Sequence, residues 1–190
     1  MKDLFIAYLQ SFQPIPDEEQ ELILDAFEER VLKEGDYLFR PGQVCRELFF
    51  IRKGVAKILV PNDKGIDVIY FFSKENQLCT LLNSFNNGVV AEECIRAATD
   101  MEVSAIHKAR LLELYKRLPY LGGLIDRITQ QRLLDKIRIR NAYLGQDASS
   151  RYRLFMTQEP EIALRVPLND IASYLGITPQ SLSRIRRNHH

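Results

Sequence analysis

Residues 168–187 read LNDIASYLGITPQSLSRIRR and have the pattern of two short helices joined by a tight turn. Apolar residues recur at helical spacing before Gly176 and again after Pro179. Glycine at position 176 supplies the positive φ that a tight turn requires. Thr178 followed by Pro179 is a strong helix start, because threonine caps a helix and proline fits its first position. The stretch therefore predicts a helix-turn-helix.

The second helix of this motif is expected to present a polar face to solvent, while Leu182 and Ile185 face the core. Its first turns are the part of a helix-turn-helix that enters the major groove of DNA. Arg184 can form a bidentate pair with guanine, Gln180 can do so with adenine, and the later arginines suit phosphates. A helical hairpin with an ordinary polar face is the alternative. The candidate DNA-binding residues are Thr178, Gln180, Ser181, Ser183, Arg184, Arg186 and Arg187.

The formal net charge of +1 conceals an asymmetry between the two ends of the chain. From Arg132 to the end there are ten Lys and Arg residues against five Asp and Glu, a net charge of +5, whereas the remainder carries −4. A basic C-terminal third is the electrostatic pattern expected of a nucleic-acid contact, although a solvated helical surface would look the same. The overall hydrophobic content of 46% is ordinary for a soluble globular protein.

The secondary structure predicted for the first part of the chain changes from helix to strand. Residues 1–30 are predicted to be helical, and residues 31–106 consist of short apolar runs between turn residues. Such strands at intervals of about 8–12 residues indicate a sandwich or barrel. Candidate strands lie at 48–51, 56–60 and 67–71, with a hairpin turn at 63–65. The fold class is therefore α+β, with an antiparallel, jelly-roll-like β-roll flanked by helices.

Helical periodicity returns after residue 106. A short helix is predicted over 108–117, followed by a long helix over about 120–144 that ends at Gly145. At a rise of about 1.5 Å per residue, the long helix spans about 35–40 Å, which is more than a small domain needs. Its apolar residues serve either as a dimer seam, which is favoured, or as packing against the strands. Asp147 is then expected to cap another helix that runs to about Gln158.

These features together resemble the Crp/Fnr family of bacterial transcription regulators. Residues 35–42 (GDYLFRPG) and 50–54 (FIRKG) are similar to its β-roll signatures, and residues 147–151 (DASSR) to its hinge. The block 172–187 is similar to its recognition motif. The resemblance implies a cyclic-nucleotide-binding-like β-roll over 1–118, a dimerisation helix over 119–145 and a helix-turn-helix domain over 146–190. It also implies double-stranded DNA, a second copy of the chain and RNA polymerase as partners.

The sequence departs from this resemblance where a cyclic nucleotide would bind. Cyclic-nucleotide binders of the family carry a Gly-Glu pair that holds the ribose, and an Arg-Ser or Arg-Thr pair that holds the phosphate. Cys79 and Thr80 stand at the first pair, Ala91 and Glu92 stand at the second, and no arginine lies within residues 73–95. Two unpaired like charges about 4 Å apart cost roughly 4 kcal/mol at an effective dielectric near 20, or about three powers of ten in affinity.

The long helix also differs from that of the family's cyclic-nucleotide binders. Lys136 and Ile137 stand where small hydroxyl residues would face an adenine. The degenerate effector pocket is therefore expected at Leu78, Cys79, Thr80, Ala91, Glu92, Lys136 and Ile137. We expect no physiological affinity for cAMP, although an unidentified small-molecule effector stays open. Cys79 and Cys94 are interpreted as small apolar fillers or, alternatively, as thiol sensors.

Other site classes find little support. Three scattered cysteines do not supply an iron–sulfur cluster, and a lone internal His107 does not make a haem or metal site. No Ser-His-Asp set or phosphate-cradling glycine loop appears, so neither an enzyme nor a cofactor is predicted. No apolar run approaches the roughly 20 residues of a membrane span, and the start does not read as a signal peptide, so a cytoplasmic location is expected.

The sequence thus predicts a homodimeric, sequence-specific DNA-binding transcription regulator. The alternative is a cyclic-nucleotide or other small-molecule sensor in which the β-roll is the principal functional part. Relatives in the family carry a β-hairpin wing after the recognition helix, whereas this sequence stops after residues 186–188. The helix-turn-helix domain is therefore expected to lack its wing, which would make dimerisation more important for affinity.

Overall fold

The structure is a computed structural model that describes residues 3–187, in which nine helices and ten strands are found. The helices are α1 Leu4–Gln10, α2 Asp17–Asp25, α3 Leu82–Asn87, α4 Lys108–Arg117, α5 Pro119–Tyr143, α6 Ala148–Gln158, α7 Pro160–Ala163, α8 Leu168–Leu175 and α9 Pro179–Arg187. The strands are β1 Glu28–Leu32, β2 Tyr37–Phe39, β3 Gln43–Val44, β4 Glu47–Lys53, β5 Ala56–Pro61, β6 Asp67–Ser73, β7 Gln77–Cys79, β8 Val90–Ala91, β9 Cys94–Ala97 and β10 Met101–His107. This α+β arrangement confirms the predicted fold class.

The strands form an antiparallel roll with two four-stranded sheets. One sheet has the order β1-β10-β4-β7 and the other β2-β9-β5-β6, while β3 and β8 pair separately. Side chains from both sheets, such as Phe49, Phe71 and Ile95, form one buried cluster between them. The predicted hairpin turn joins β5 to β6, where the Gly65 N–H donates to the Asn62 carbonyl at 2.8 Å. Gly65 adopts a φ of +71° there, as the turn requires.

The N-terminal region differs from the single helical segment predicted for residues 1–30. Two helices, α1 and α2, are separated by a connection that contains Pro14 and Pro16, and proline limits helix continuation. Residues 28–32 then form β1, which pairs antiparallel with β10. The prediction failed there because pairing with a strand about 70 residues away leaves no local signal.

The long helix α5 has two different halves. Its N-terminal half buries Leu121, Leu124, Ile125 and Ile128 in a cluster with α1, α4 and β4. Its C-terminal half leaves apolar side chains in solvent, at 45%, 50%, 47% and 68% exposure for Leu133, Leu134, Ile137 and Leu144 (the last just beyond the helix). Packing against the roll therefore explains the first half of the predicted helix, whereas the apolar side chains of the second half remain largely exposed within residues 3–187.

The C-terminal helices dock on the outer face of the sheet that contains β5 and β6. Phe72 of β6 packs with Phe155 of α6 at a ring distance of 6.4 Å, within one buried cluster that also includes α8 and α9. The backbone N–H of Ile69 donates to the Ser173 hydroxyl at 3.0 Å. Lys57 forms a largely buried ion pair with Asp170 at 2.6 Å. The β-roll thereby fixes the position of the helix-turn-helix.

A second set of ion pairs borders this contact. Arg165 donates two hydrogen bonds to the Glu75 carboxylate, at 2.6 and 2.8 Å. Burial alone would raise the pKa of Glu75, but hydrogen bonds from Arg165 and the Gly54 N–H lower it to about 2. Lys74 contacts Glu159 and Glu161 close by, at 3.4 and 2.7 Å. The C-terminal helices are therefore held on the sheet by a buried apolar cluster and by ion pairs at its edge.

The described residues contain neither a membrane-spanning helix nor a cluster of metal-binding side chains. Over residues 3–187, no helix carries an apolar stretch that could cross a bilayer. In the same part of the chain, no three His, Cys, Asp or Glu side chains meet in an arrangement that could hold a metal ion.

Candidate nucleic-acid interface and effector pocket

The predicted helix-turn-helix consists of α8, a turn at Gly176 and α9. Gly176 has a φ of +65°, and its N–H donates to the Ser173 carbonyl at 3.1 Å. The Ile177 N–H donates to the Ala172 carbonyl at 3.0 Å, which closes the end of α8. Thr178 caps α9, since its hydroxyl accepts from the Ser181 N–H at 3.1 Å. Each local role assigned from the sequence is therefore present.

The two faces of α9 differ as the sequence predicts. Leu182 is fully buried against the cluster that contains Ala172, where a small side chain lets the helices approach closely. Ser183 is partly buried, and the other candidate DNA-binding residues are exposed: Thr178, Gln180, Ser181, Arg184, Arg186 and Arg187. Gln180 and Arg184 are four residues apart and so lie on the same side of the helix.

The charge of this face is not neutralised by other residues of the range 3–187. Across residues 3–187, no salt bridge involves Arg184, Arg186 or Arg187. The acidic residue of α8, Asp170, is instead paired with Lys57 of the β-roll. The result is an exposed helix N-terminus with three free arginines on the same helix, an arrangement suited to phosphates and base edges.

The degenerate effector pocket is almost closed. A cavity of only about 20 Å³ remains between the roll and α5, lined by Leu48, Leu78, Thr80, Leu82, Thr129, Arg132, Leu133 and Lys136. Ligand pockets usually measure about 300–1,000 Å³, whereas about 20 Å³ accommodates little more than one water molecule. Leu78, Thr80 and Lys136 are therefore brought together as predicted, but around no space for a nucleotide.

Two cations of α5 fill the region instead. Arg132 donates to the Gln77 side-chain oxygen at 2.6 Å. The ammonium of Lys136 lies 4.3 Å from the centre of the Phe71 ring. Burial lowers the pKa of both Arg132 and Lys136. Sequence reasoning missed Arg132, which stands one helical turn before Lys136 and could have been found from that spacing.

The remaining residues predicted for this pocket lie elsewhere. Cys79 and Ala91 are buried in the cluster between the two sheets. Glu92 is exposed just after β8, so its carboxylate does not stand in the pocket as the charge argument assumed. Ile137 lies on the exposed side of α5, because one residue along a helix rotates the side chain by about 100° from Lys136. The pocket is thus closed by packing and not by Glu92.

The cysteines behave as buried fillers. Burial raises the pKa of Cys79 and of Cys94, which keeps both thiols neutral and weakly nucleophilic near pH 7. The Thr80 hydroxyl donates to the Glu47 carbonyl at 2.8 Å and lies 3.6 Å from the Cys45 sulfur. The burial of Cys79 and Cys94 favours the packing interpretation over the thiol sensor.

Comparison with known proteins identifies relatives of both parts of the chain. Residues 29–118 match the family model of the cyclic nucleotide-binding domain. The transcriptional activator protein anr of Pseudomonas aeruginosa is 26% identical over 170 residues, which cover 82% of this chain and 68% of that protein.

Solved structures share the fold at lower identity. The c-di-GMP responsive global regulator CLP of Xanthomonas campestris has a TM-score of 0.71 at 19% identity, over 91% of both chains. A structure described as a transcriptional regulator of the crp/fnr family from Eubacterium rectale has a TM-score of 0.72 at 17% identity, over 96% of this chain and 87% of that one. These likenesses support the architecture of the β-roll, long helix and C-terminal helices.

Proposed function

We propose that this chain is a sequence-specific DNA-binding transcription regulator that acts as a homodimer. The match of residues 29–118 to the cyclic nucleotide-binding domain and the 26% identity to the activator protein anr support this proposal. The observation that carries the proposal is the exposed face of α9, on which Gln180 and Arg184 stand together behind a capped helix start. Residues 146–190 would form the DNA-binding part, 119–145 the dimerisation helix and 1–118 the sensor-type domain.

The geometry of α9 supports insertion into the major groove. Arg184 would donate two parallel hydrogen bonds to O6 and N7 of a guanine, and Gln180 would pair with an adenine. Arg186 and Arg187 follow on the same helix and would contact phosphates on the flanking backbone. Since α9 is tethered through the buried Leu182, the reading face is presented by a rigid support.

The exposed half of α5 supports dimerisation. Leu134 and Ile137 are three residues apart and about half exposed, so they lie on one side of the helix, as the apolar residues of a two-helix seam do. A second copy packed there would remove these side chains from water and present two α9 helices. Such a dimer reads two half-sites about one helical turn apart.

Salt dependence provides a test of the DNA interface. We expect the affinity for duplex DNA to fall steeply with salt, because bound arginines release counterions from the phosphates. Combining Arg186→Ala with Arg187→Ala should reduce the slope of log affinity against log salt by about 1 for each phosphate that is no longer neutralised. Fluorescence anisotropy with a labelled duplex measures this slope. Removing the exposed charge of Lys116 on α4 should leave it unchanged. An identical slope in the double variant would refute the phosphate-binding role of α9.

The closed pocket predicts the absence of cAMP binding. Opening it would require displacing Arg132 from Gln77 and Lys136 from the Phe71 ring, and the roll carries no arginine within residues 73–95 to hold the phosphate. Calorimetry with cAMP and cGMP is therefore expected to give no heat of binding at concentrations up to about 1 mM, the range of negligible affinity. Micromolar binding would favour the alternative function, a cyclic-nucleotide sensor.

A further inference from the structure

A second cavity lies between the docked helix-turn-helix, the sheet and the end of α5. Its volume is about 420 Å³, within the range of small-molecule sites. One wall consists of β5 and β6, another of the end of α5, and the third of α6 and residues 173–176 of the helix-turn-helix. The side chains that determine its chemistry are Lys136, Arg140, Arg151, Tyr70, Tyr143 and Tyr174.

The charge in this cavity is entirely positive. Three cations line it, and no Asp or Glu does so among the residues that the structure describes. None of Lys136, Arg140 and Arg151 takes part in a salt bridge within residues 3–187. By contrast, Arg138 lies two residues from Arg140 and pairs with Asp135 at 3.5 Å. Unpaired cations around one partly enclosed space favour an anion.

One polar atom in the cavity wall, Nε of Arg151, is buried without a hydrogen-bond partner within residues 3–187. The Tyr143 hydroxyl is buried as well, and burial raises its pKa, whereas hydrogen bonding to the Tyr174 side chain lowers it. Neither atom reaches the surface of the cavity, so a ligand there would accept hydrogen bonds from the terminal nitrogens of Arg151. Arg151 also borders the turn, since a Cβ at Gly176 would lie 3.8 Å from its Nη1.

The aromatic rings supply the apolar part of the cavity. Tyr143 and Tyr174 meet edge to face at 6.0 Å, and half-exposed Tyr70 carries the Arg140 guanidinium 5.3 Å from its ring centre. Tyrosine faces stack against planar rings, and the neighbouring cations attract negative groups attached to such a ring. The cavity therefore combines an apolar wall with a cationic one.

We propose that this cavity binds an organic anion that has a planar ring and two or more negative charges. The ring would pack among Tyr70, Tyr143 and Tyr174, and the charged groups would accept hydrogen bonds from Arg140 and Arg151. The site is distinct from the closed pocket between the roll and α5, although Lys136 borders both. Because α8 forms part of its wall, the ligand would contact the β-roll and the helix-turn-helix together.

Calorimetry on the full chain tests this site with three probes. ADP supplies both the ring and the charge, pyrophosphate supplies the charge alone, and adenosine supplies the ring alone. ADP is expected to bind with a Kd below roughly 100 μM and at least about tenfold more tightly than either fragment. Arg140→Gln and Arg151→Gln should each weaken ADP binding by about tenfold or more, as loss of a charge-assisted hydrogen bond implies.

Matched controls locate the site. Arg138→Gln removes the same charge from α5 outside the cavity, and Thr129→Val alters only the small closed pocket. Both should change ADP affinity less than about twofold, against about tenfold for the cavity variants. The proposal would be overturned if ADP did not bind, or if Arg138→Gln weakened ADP binding as much as the cavity variants do. It would also be overturned if Thr129→Val or Arg184→Gln weakened ADP binding and the cavity variants did not. Melting curves show whether each variant is folded. If Arg151→Gln does not fold, the test relies on Arg140→Gln. No DNA is present, so the outcome is independent of the proposed function.

Discussion

Replacing Leu134 and Ile137 by glutamate is expected to separate the proposed dimer and to weaken binding to a two-fold DNA site by about 10²–10⁴-fold. Both side chains are about half exposed on the C-terminal half of α5, so the substitutions leave the buried core of the monomer unchanged. Four carboxylates at a two-helix seam would repel each other in the dimer. A monomer would also lack the second α9, which in the dimer binds at a high effective concentration.

Light scattering measures the oligomeric state of this variant, and anisotropy measures its DNA affinity. Leu112→Glu is the matched control, because Leu112 is an apolar residue of α4 with similar exposure that lies outside the seam. The control should remain dimeric and bind normally. A double variant that stays dimeric would show that the copies meet through another surface.

Arg184→Ala is expected to abolish the preference for one base pair in each half-site, at a cost of about 1–3 kcal/mol per contact, or about 5–150-fold. The guanidinium is exposed and unpaired within residues 3–187, so its removal takes away a base contact without leaving a buried partner. Arg184→Lys should recover little, because an ammonium cannot form the planar two-hydrogen-bond pair.

Affinities for duplexes with single base-pair changes distinguish base recognition by Arg184 from electrostatic attraction to the phosphates. Arg187→Ala is the control, since removal of a phosphate-binding side chain lowers the affinity for all sequences by a similar factor. If Arg184→Ala also weakened all sequences equally, Arg184 would bind a phosphate, and the register of α9 in the groove would be wrong.

Local signals explain why the helix-turn-helix could be predicted from the sequence. The turn depends on Gly176, and the start of α9 depends on Thr178 and Pro179, three residues whose conformational preferences are intrinsic. The hairpin at 62–65 and the capping of α6 by Asp147 were predictable for the same reason. In each case the decisive contact joins residues within four positions of one another.

Long-range contacts explain what was missed. The pairing of β1 with β10 and the docking of α8 on β6 join residues far apart in sequence, so no local sequence pattern predicts these contacts. The same limit applies to the pocket. The missing arginine could be read from residues 73–95, but the closure by Arg132 and the exposure of Glu92 depend on how α5 and the roll meet.

Selection of bound DNA from random-sequence duplexes tests the central claim most directly. The full chain is predicted to enrich a two-fold symmetric consensus whose half-sites are centred about 10 base pairs apart, with a guanine in each half-site that the Arg184→Ala variant no longer selects. Recovery of no enriched sequence, or of a motif without two-fold symmetry, would contradict the proposal that this chain is a homodimeric, sequence-specific DNA-binding regulator.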